Sequence, residues 1–392
     1  MSSGMLVGRL TCPAATGNQS YVVGQTPKAI IFYGSRMAAP EDGFGTECIA
    51  HFGCASSPTH RWSYFSDGNP GAHWDCRFLQ NEVIRIGTDS IADIVSFDAN
   101  GFTLNWSAAG PAAYVYYTVF YGDIIAKAGT LTVPSVGTTV SISGVGGQPT
   151  GLVMGWTREN AIDVNGYEGV GFSDGINNAS SFNVHRDLNS SDQWSLQRSD
   201  SCGCGAGITG ITDWTTKVQS FDSDGFTLAV TDNPVADITE VGYLALCGPR
   251  FGVGTETQAT ANGNRTKGVG FTPKGVIFSS VMKAASASTS QPAKMVVGAY
   301  DGTTFKSAGR GAGTVPNDDF RVSSNSAMFS SSTSAFTGKA TGVSLDAGGF
   351  TLGWSGVDGT AYQFIYFAIG DWDSSVSFPF YTAKIRSRRT SW

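Results

Sequence analysis

Charged residues are scarce in this 392-residue chain, since Asp, Glu, Lys and Arg supply only 14% of it. Ordinary soluble domains carry roughly 25%. The net charge is −6, and no basic face is visible in the body of the chain. A protein that binds duplex nucleic acid needs such a face, so we expect no nucleic-acid partner. Ser, Thr, Asn and Gly must cover most of the surface.

Long apolar runs are missing as well. A membrane-spanning helix needs about 20 consecutive apolar residues, and no such stretch exists, so we expect no membrane span. Residues 1–24 lack a basic segment followed by an apolar core. We therefore expect no signal peptide, and synthesis in a cytoplasm without ordinary export.

Signatures of catalysis are also absent. The chain has no G-x-S-x-G nucleophile turn and no G-x-x-x-x-G-K-[ST] phosphate loop. Only four histidines are present, and none lies beyond residue 185. We expect a non-enzymatic protein without catalytic residues or a cofactor, because the side chains that a reaction centre needs are too few.

The chain instead contains a threefold internal repeat. The motif Gly-Phe-Thr-Leu occurs at Gly101–Leu104, Gly225–Leu228 and Gly349–Leu352. Its phenylalanines are 124 positions apart in successive copies. A proline that begins an apolar segment precedes each copy, and an aromatic-rich run follows it; the prolines are Pro27, Pro149 and Pro273. A unit of this length can bury its own core, unlike a solenoid repeat of roughly 20–50 residues.

Alternating apolar residues and short β-branched runs predict strands throughout, and no window shows helical spacing over three turns. In the first repeat we predict strands near residues 10–13, 20–23, 29–34, 48–52, 62–65, 83–87, 91–98, 102–106 and 113–121. The sequence thus predicts an all-β fold of three tandem antiparallel β-sandwich domains, jelly-roll-like, in a pseudo-threefold repeat. The predicted domains are residues 1–123, 124–247 and 248–371, followed by a C-terminal docking tail at 372–392.

The repeated motif also predicts a local structure. The Asp-x-x-Gly stretches at 98–101, 222–225 and 346–349 are predicted turns in which the last glycine supplies a positive φ. Phe and Leu alternate with Thr, so Phe and Leu should face the core. We expect the motif to form a hairpin with the aromatic-rich run that follows it, at the centre of one sheet.

Cysteine and histidine cluster in the first repeat, at Cys48, His51, Cys54, His60, His73 and Cys76. Part of this spacing is typical of zinc sites, yet positions three apart on a strand point to opposite faces. A metal site, a Cys54–Cys76 disulfide and buried thiols all stay open. We align Cys54-Ala55 with Asp174-Gly175 and Asp301-Gly302, so the other copies fold there without a ligand.

Other cysteines give weaker signals. Cys202 and Cys204 lie in a Gly-rich loop, where a disulfide between them would be strained and a metal would need ligands from elsewhere. Cys12 aligns with Val133, which favours a buried apolar thiol. The third repeat has no cysteine, so we do not expect a disulfide scaffold.

Two groups of residues suggest contacts with a ligand or a partner. Trp62, Tyr64, Trp74 and Trp194 stand among polar residues and could meet a sugar or a protein from loops at the end of a sandwich. Alternatively, Trp62 and Tyr64 form one face of a strand. The only basic run, Lys384, Arg386, Arg388 and Arg389 with the terminal Trp392, predicts an arm that docks on an acidic protein. An extra strand on the third repeat is the alternative.

The repeated pattern resembles modules of tailed-bacteriophage and prophage virion proteins. It consists of a proline with an apolar strand (27–35, 273–280), Asp-x-x-Gly-Phe-Thr-Leu, and an aromatic-rich strand that ends in Gly-Asp (121–123, 369–371). The second copy departs from it at Thr150 and at Cys247-Gly248-Pro249. The resemblance implies β-sandwich structural proteins of the capsid surface, tail fibres or spikes, and it brings no catalytic residues.

The function expected from this resemblance is structural. We expect a capsid decoration or cement protein, made in the bacterial host cytoplasm and located in the virion. Its expected partners are the major capsid or tail proteins and further copies of itself. The alternative is a tail-fibre or spike adhesin that binds a host-surface glycan or receptor.

Overall fold

The computed structural model describes residues 3–35, 48–68, 74–110, 114–133, 136–157, 161–162, 166–185, 193–206, 212–232, 240–283, 294–311, 319–323, 325–331 and 336–372. The regular secondary structure in these ranges consists of β-strands alone, and the strands form six antiparallel sheets. The all-β prediction is therefore confirmed.

The strands of the first repeat are β1 Gly4–Thr11, β2 Gly17–Val22, β3 Pro27–Ser35, β4 Cys48–Ser57, β5 His60–Gly68, β6 Trp74–Leu79, β7 Ile84–Ile86, β8 Ser90–Asp98, β9 Gly101–Ala108 and β10 Tyr114–Tyr121. Those of the second are β11 Ile125–Thr132, β12 Thr139–Ser143, β13 Gly151–Trp156, β14 Ala161–Ile162, β15 Gly166–Ser173, β16 Asn178–His185, β17 Gln193–Arg198, β18 Gly203–Ala206, β19 Thr212–Asp222, β20 Gly225–Asp232 and β21 Glu240–Cys247. Those of the third are β22 Pro249–Thr257, β23 Gly263–Gly268, β24 Gly275–Lys283, β25 Lys294–Tyr300, β26 Phe305–Gly311, β27 Asp319–Ser323, β28 Met328–Ser331, β29 Phe336–Asp346, β30 Gly349–Ser355 and β31 Gln363–Trp372.

Each repeat builds one large and one small sheet. The large sheets have the strand orders β1-β10-β3-β4-β5-β6 in the first repeat, β11-β21-β13-β15-β16-β17 in the second and β22-β31-β24-β25-β26-β27 in the third. The small sheets have the orders β2-β9-β8-β7, β12-β20-β19-β18 and β23-β30-β29-β28. Only β14 has no counterpart among the described strands, and it pairs with β6 of the first repeat. The first two strands of each repeat pair with its last two, in the manner of a jelly roll, and the strands between them run as meanders.

Two differences from the predicted strands concern the first repeat. The chain forms β6, which the sequence does not predict because Trp74–Leu79 contains no β-branched residue. The first strand is Gly4–Thr11 and thus begins earlier than the predicted residues 10–13. Gly4 and Gly8 interrupt the apolar alternation by which a strand is recognised in the sequence. On β10, the ring of Tyr121 lies over Gly4 and that of Tyr117 over Gly8.

The large sheets are buried on both faces. On β3, Ile30 and Phe32 face the core between the two sheets of the first repeat. Ala29, Ile31 and Tyr33 face the opposite way, into a core that all three repeats share. Every residue of β13 is buried for the same reason.

The shared core binds the repeats to one another. It contains side chains from the large sheets of all three repeats, such as Phe52, Leu244 and Phe367. Strand membership of the sheets changes after Tyr121 and again after Cys247. The division into domains at 1–123, 124–247 and 248–371 nevertheless stays an interpretation of the repeat, because the repeats share this core in addition to the separate core between the two sheets of each repeat.

A similar hydrogen bond joins each repeat to the next. In each case a backbone N–H of the first strand of one repeat donates to a side chain of the preceding repeat. The acceptor lies at or next to the β4–β5 turn, or the equivalent β15–β16 or β25–β26 turn. The three bonds are Val7 N to Asp301 Oδ2 (2.8 Å), Ala128 N to Ser56 Oγ (2.8 Å) and Val253 N to Asp174 Oδ2 (2.9 Å). The third repeat thus contacts the first, the first contacts the second and the second contacts the third. Contacts of this head-to-tail kind close into a ring when the rotation between units allows it.

The Gly-Phe-Thr-Leu motif is a strand of the small sheet in each repeat. Phe102 and Leu104 are buried whereas Thr103 is half-buried, which confirms the predicted inward direction. The predicted hairpin is wrong, because β9 pairs with β8 and β2 while the aromatic-rich β10 lies in the facing large sheet. The two strands meet across the core, where the ring centroids of Phe102 and Tyr117 are 5.5 Å apart.

The aspartate before each motif holds the hairpin through hydroxyl groups. Asp98 accepts hydrogen bonds from Ser96 Oγ at 2.7 Å and Thr103 Oγ1 at 2.9 Å. Asp222 accepts the same pair from Ser220 and Thr227. Hydrogen bonds from side-chain hydroxyls also lower the pKa of Asp346, the third aspartate of this kind. The repeated turn is therefore fixed by side chains as well as by its backbone.

The glycine of the motif is required for a different reason than predicted. None of Gly101, Gly225 and Gly349 has a positive φ, so that part of the prediction is wrong. A Cβ at these positions would lie 1.8–1.9 Å from a carbonyl oxygen of the adjacent strand, that of Tyr21, Ile142 or Lys267. The glycine therefore permits the close approach of two backbones.

The pair Gly348 and Gly349 tests this explanation. Gly349→Ala is expected to lower the free energy of unfolding by about 1–3 kcal/mol or more, because the new Cβ overlaps the Lys267 carbonyl. Gly348→Ala is the matched control, since nothing lies within 4 Å of its Cβ position. Chemical unfolding of both variants measures the difference, and equal stabilities would contradict the close approach.

Candidate functional site

The cysteines and histidines of the first repeat do not converge. Cys54 lies on β4 and Cys76 on β6, with β5 between them. Two strand spacings already amount to about 10 Å, and their partners on β5, Trp62 and Ser66, lie four residues apart. The separation therefore exceeds the roughly 7 Å between Cα atoms that a disulfide allows. Both are buried and neither forms a disulfide, so the disulfide interpretation is wrong. In the described ranges no three His, Cys, Asp or Glu side chains lie close enough together to hold a metal ion.

The strand register corrects the alignment of Cys54 with the other repeats. Cys54 pairs with Ile31, Phe172 with Val153 and Ala299 with Ile277. Cys54 therefore corresponds to Phe172 and Ala299, and all three belong to the shared core. Asp174 and Asp301 correspond to Ser56, two positions later. Burial raises the pKa of Cys54 well above its usual value, which agrees with an apolar role.

The other cysteines whose side chains the structure describes are also buried. Cys202 and Cys204 are free thiols in the core of the second repeat, and burial raises the pKa of each to about 12. Cys12 is buried between the sheets of the first repeat, as its alignment with Val133 predicts. His60 is exposed and bonded to Ser57. The side chains of Cys48 and His73 lie outside the described residues.

His51 is the one histidine that the structure buries among the described residues. It borders a cavity of about 30 Å³ that all three repeats line, with Tyr33, Glu168 and Met295 among its walls. The backbone N–H of Arg85 donates to its Nδ1 at 3.4 Å. Burial lowers the pKa of His51 to about 3. The imidazole is therefore neutral in the folded protein at pH 7.

This burial predicts a loss of stability in mild acid. Because the pKa is about 3 in the folded chain and about 6.5 unfolded, only the unfolded chain takes up the proton between these values. The contribution is complete above pH 6.5 and falls by about 1.4 kcal/mol per pH unit below it, hence by about 2 kcal/mol at pH 5. Chemical unfolding at pH 7 and pH 5 measures it. His51→Gln should weaken the pH dependence by that amount, and an unchanged dependence would contradict it.

The predicted contact aromatics have three different outcomes. Trp62 and Tyr64 are 0% and 2% exposed and lie on one face of β5 in the shared core. Neither can reach a ligand in solution, so the strand-face alternative describes them. Trp194, at the start of β17, is half-buried against the core of the second repeat. The side chain of Trp74 lies outside the described part of the chain.

A cleft of about 740 Å³ opens between the second and third repeats. Its walls are Gln148, Pro149, Thr150, Asp174, Ile176, Asn177 and Phe221 from the second repeat, and Arg250, Phe251, Gly252, Val253, Lys267, Gly268, Val269, Phe271 and Tyr366 from the third. Binding sites for small ligands commonly occupy roughly 300–1,000 Å³ and combine apolar walls with a few polar groups. The cleft meets both conditions and is the candidate binding site.

Aromatic rings and cations lie next to each other in this cleft. The Arg250 guanidinium is 5.4 Å from the ring centroid of Phe271, and Lys267 Nζ is 5.7 Å from that of Tyr366. Lys267 is also paired with Glu256 at 3.3 Å. No carboxylate of the described residues forms an ion pair with Arg250, which is exposed. Arg250 is thus available to an anion.

The carboxylate of Asp174 has a structural task. Its Oδ1 accepts the backbone N–H groups of Ile176 at 3.0 Å and Asn177 at 2.6 Å. Its Oδ2 accepts Asn177 Nδ2 at 3.0 Å and the backbone N–H of Val253 at 2.9 Å. These four hydrogen bonds fix the carboxylate at the turn and at the junction with the third repeat.

The cations and one ring of the cleft occur in the third repeat alone. Lys267 pairs with Phe350 where Tyr21 pairs with Phe102 and Ile142 with Phe226. Arg250 stands four residues before Gly254, where the other repeats have Gly4 and Ile125, and Phe271 stands two before Pro273, where they have Gln25 and Gly147. The shared fold does not require these residues. Sequence comparison between the repeats could have singled them out, but only once the register was known.

The predicted docking residues of the tail, Lys384, Arg386, Arg388, Arg389 and Trp392, lie outside the described residues. The described residues contain no helix long and apolar enough to cross a membrane. Comparison with protein-family models gives no match, and comparison with curated proteins gives no significant match. Function therefore has to be inferred from the residues themselves.

Proposed function

We propose that this chain is a non-enzymatic structural protein of a tailed-phage virion, and specifically a decoration protein on the capsid surface. The observation that carries the proposal is the arrangement of three like sheet pairs around one shared core. Such a unit offers three related surfaces to its surroundings and suits a position of local threefold symmetry in a lattice. The resemblance of the repeated motif to virion modules supports the same role.

Rigidity is what a lattice-binding protein needs, and several features of the chain supply it. Both faces of the large sheets are buried, and the three repeats are joined by short linkers, Gly122–Ile124 and Gly248. Hydrogen bonds at Asp174, Asp301 and Ser56 fix the three junctions. The basic tail is then the segment that docks on an acidic neighbouring protein, the major capsid protein under this proposal.

Quantitative mass spectrometry of purified particles tests the proposal. Hundreds of copies of the chain per particle are expected for a decoration protein, whereas a handful would assign it to the tail. Absence from particles would contradict both. A chain that ends at residue 372 should lose binding to undecorated capsids while its thermal unfolding is unchanged, because it keeps every described strand.

A second function is favoured by the cleft between the second and third repeats. A tail-fibre or spike adhesin binds a host-surface glycan, and the cleft offers aromatic faces beside amide and hydroxyl groups. A glycan array probed with the full chain separates the two functions, because it measures whether the chain binds a specific glycan. Specific binding together with a low copy number per particle would favour the adhesin.

A further inference from the structure

From the cleft between the second and third repeats, we infer a binding site for an acidic saccharide, with the Arg250 guanidinium paired to the sugar carboxylate. The site goes beyond the structural role proposed above and does not depend on the position of the protein in a particle. Its volume of about 740 Å³ accommodates a short oligosaccharide.

The negative charge of the ligand follows from Arg250. Arginine presents a planar fork of donors that matches the two oxygens of a carboxylate. Arg250 is exposed at the cleft, and its guanidinium lies over the ring of Phe271, 5.4 Å from the centroid. This stacking orients the guanidinium and leaves its donors open. A duplex or a long polyanion is not favoured, because Lys267 is already paired with Glu256 and the chain as a whole carries a net charge of −6.

The saccharide part of the ligand follows from the other walls. Phe221 and Phe271 are half-buried and line the cleft, so their rings offer apolar surface against which a sugar ring can pack. Gln148 and Asn177 are exposed and lie on the same cleft. Gln148 Nε2 donates to the Phe221 carbonyl at 2.8 Å and is held in place by it, which leaves the Gln148 amide oxygen to accept from a sugar hydroxyl.

Differences between the repeats at three cleft positions also favour a binding site at this junction. Position 250 is Gly or Ile in the other repeats, position 267 is Tyr or Ile, and position 271 is Gln or Gly. At these three positions the first and second repeats fold without a cation, and the one ring among them is Tyr21 of the first repeat. The three residues are therefore free to serve a ligand, and they are grouped at one junction.

The test is a glycan array carrying oligosaccharides of uronic acids and sialic acids next to the same chains with their carboxyl groups reduced. The full-length wild-type chain should bind members of the acidic set and not their reduced counterparts. Arg250→Gln should weaken binding at least tenfold, because a charge-assisted bidentate contact is lost. Phe271→Ala should weaken it as well. Raised salt should lower the affinity of the wild type.

Arg9→Gln is the matched control. Arg9 is also an exposed arginine over an aromatic ring, at 5.0 Å from the Tyr114 centroid, but it lies on β1 of the first repeat. This variant should bind as the wild type does, and both Arg250→Gln and Arg9→Gln should keep the wild-type thermal unfolding midpoint. Three results would overturn the inference: no acidic saccharide bound by the wild type, equal binding of the reduced chains, or unchanged binding by Arg250→Gln. Copy number on particles is measured separately, so the structural role stands or fails independently.

Discussion

Replacing Trp62 with alanine is expected to lower the free energy of unfolding by about 3–5 kcal/mol, as large-to-small changes of a buried tryptophan do. The indole is 0% exposed and stacks on Phe78 with ring centroids 5.8 Å apart. It crosses from the first repeat to the second, where it lies against Gly155 and Gly242. Its Nε1 donates to the Tyr243 carbonyl at 2.8 Å. The variant therefore opens a cavity at a junction between repeats.

Two further variants make this result specific. Trp62→Phe keeps most of the ring and loses the hydrogen bond, so a smaller loss of about 1–2 kcal/mol is expected. Trp194→Ala removes a half-buried tryptophan away from the shared core and should cost less than Trp62→Ala. Chemical unfolding followed by circular dichroism gives the three values. A Trp62→Ala variant no less stable than Trp194→Ala would show that the repeats do not meet through this side chain.

Replacing Phe226 with alanine is expected to cost about 3 kcal/mol or more, for a reason internal to the second repeat. Phe226 is 0% exposed in the core between the two sheets and meets Tyr243 edge-on, with ring centroids 5.2 Å apart. Ile142 and Phe221 lie opposite it on the neighbouring strands. Losing the ring leaves these groups without a partner.

Ile176→Ala is the control for Phe226→Ala. Ile176 is an apolar side chain of the same repeat but is 87% exposed, so its loss should change stability by less than about 0.5 kcal/mol. The two variants are compared by thermal and chemical unfolding. If Phe226→Ala is as stable as Ile176→Ala, the motif does not lie in the core.

The fold class could be predicted because it depends on local patterns. Alternation along Phe102-Thr103-Leu104 fixes which side chains turn inward, and each repeated landmark fixes the length of the unit. The pairing of strands could not be predicted, because hydrogen bonds between distant strands leave no local pattern. Gly101 illustrates the difference: the residue is evident in the sequence, but its cause, the nearby Tyr21 carbonyl, belongs to another strand.

The junctions between repeats were beyond sequence reasoning for a related reason. Trp62 faces Gly155 and Gly242 across one junction. The corresponding positions hold Ala179, Ser279 and Ile365 at the next junction, and Lys306, Tyr33 and Tyr116 at the third. Only at the first of these junctions is a large residue matched by small ones, so the three junctions pack differently. Alternation shows that a side chain points inward, but not which of two cores it enters.

The candidate site shows how a repeat can both mislead and inform. Alignment of the sequence alone places Cys54 at the position of Asp174, which is wrong by two residues; the strand register shows that Cys54 corresponds to Phe172. Arg250 attracted no notice, because a lone arginine has no motif. It becomes informative once the register shows that its counterparts are Gly4 and Ile125. Departures from internal symmetry are therefore the signal for a site in this chain.

The central claim is that the three repeats share one core and so behave as a single rigid unit. Differential scanning calorimetry of the full chain tests it most directly. The shared core predicts one cooperative transition, in which the calorimetric enthalpy equals the van't Hoff enthalpy, and Trp62→Ala should move the whole transition to lower temperature. Separate transitions, of which Trp62→Ala shifts only one, would contradict the claim.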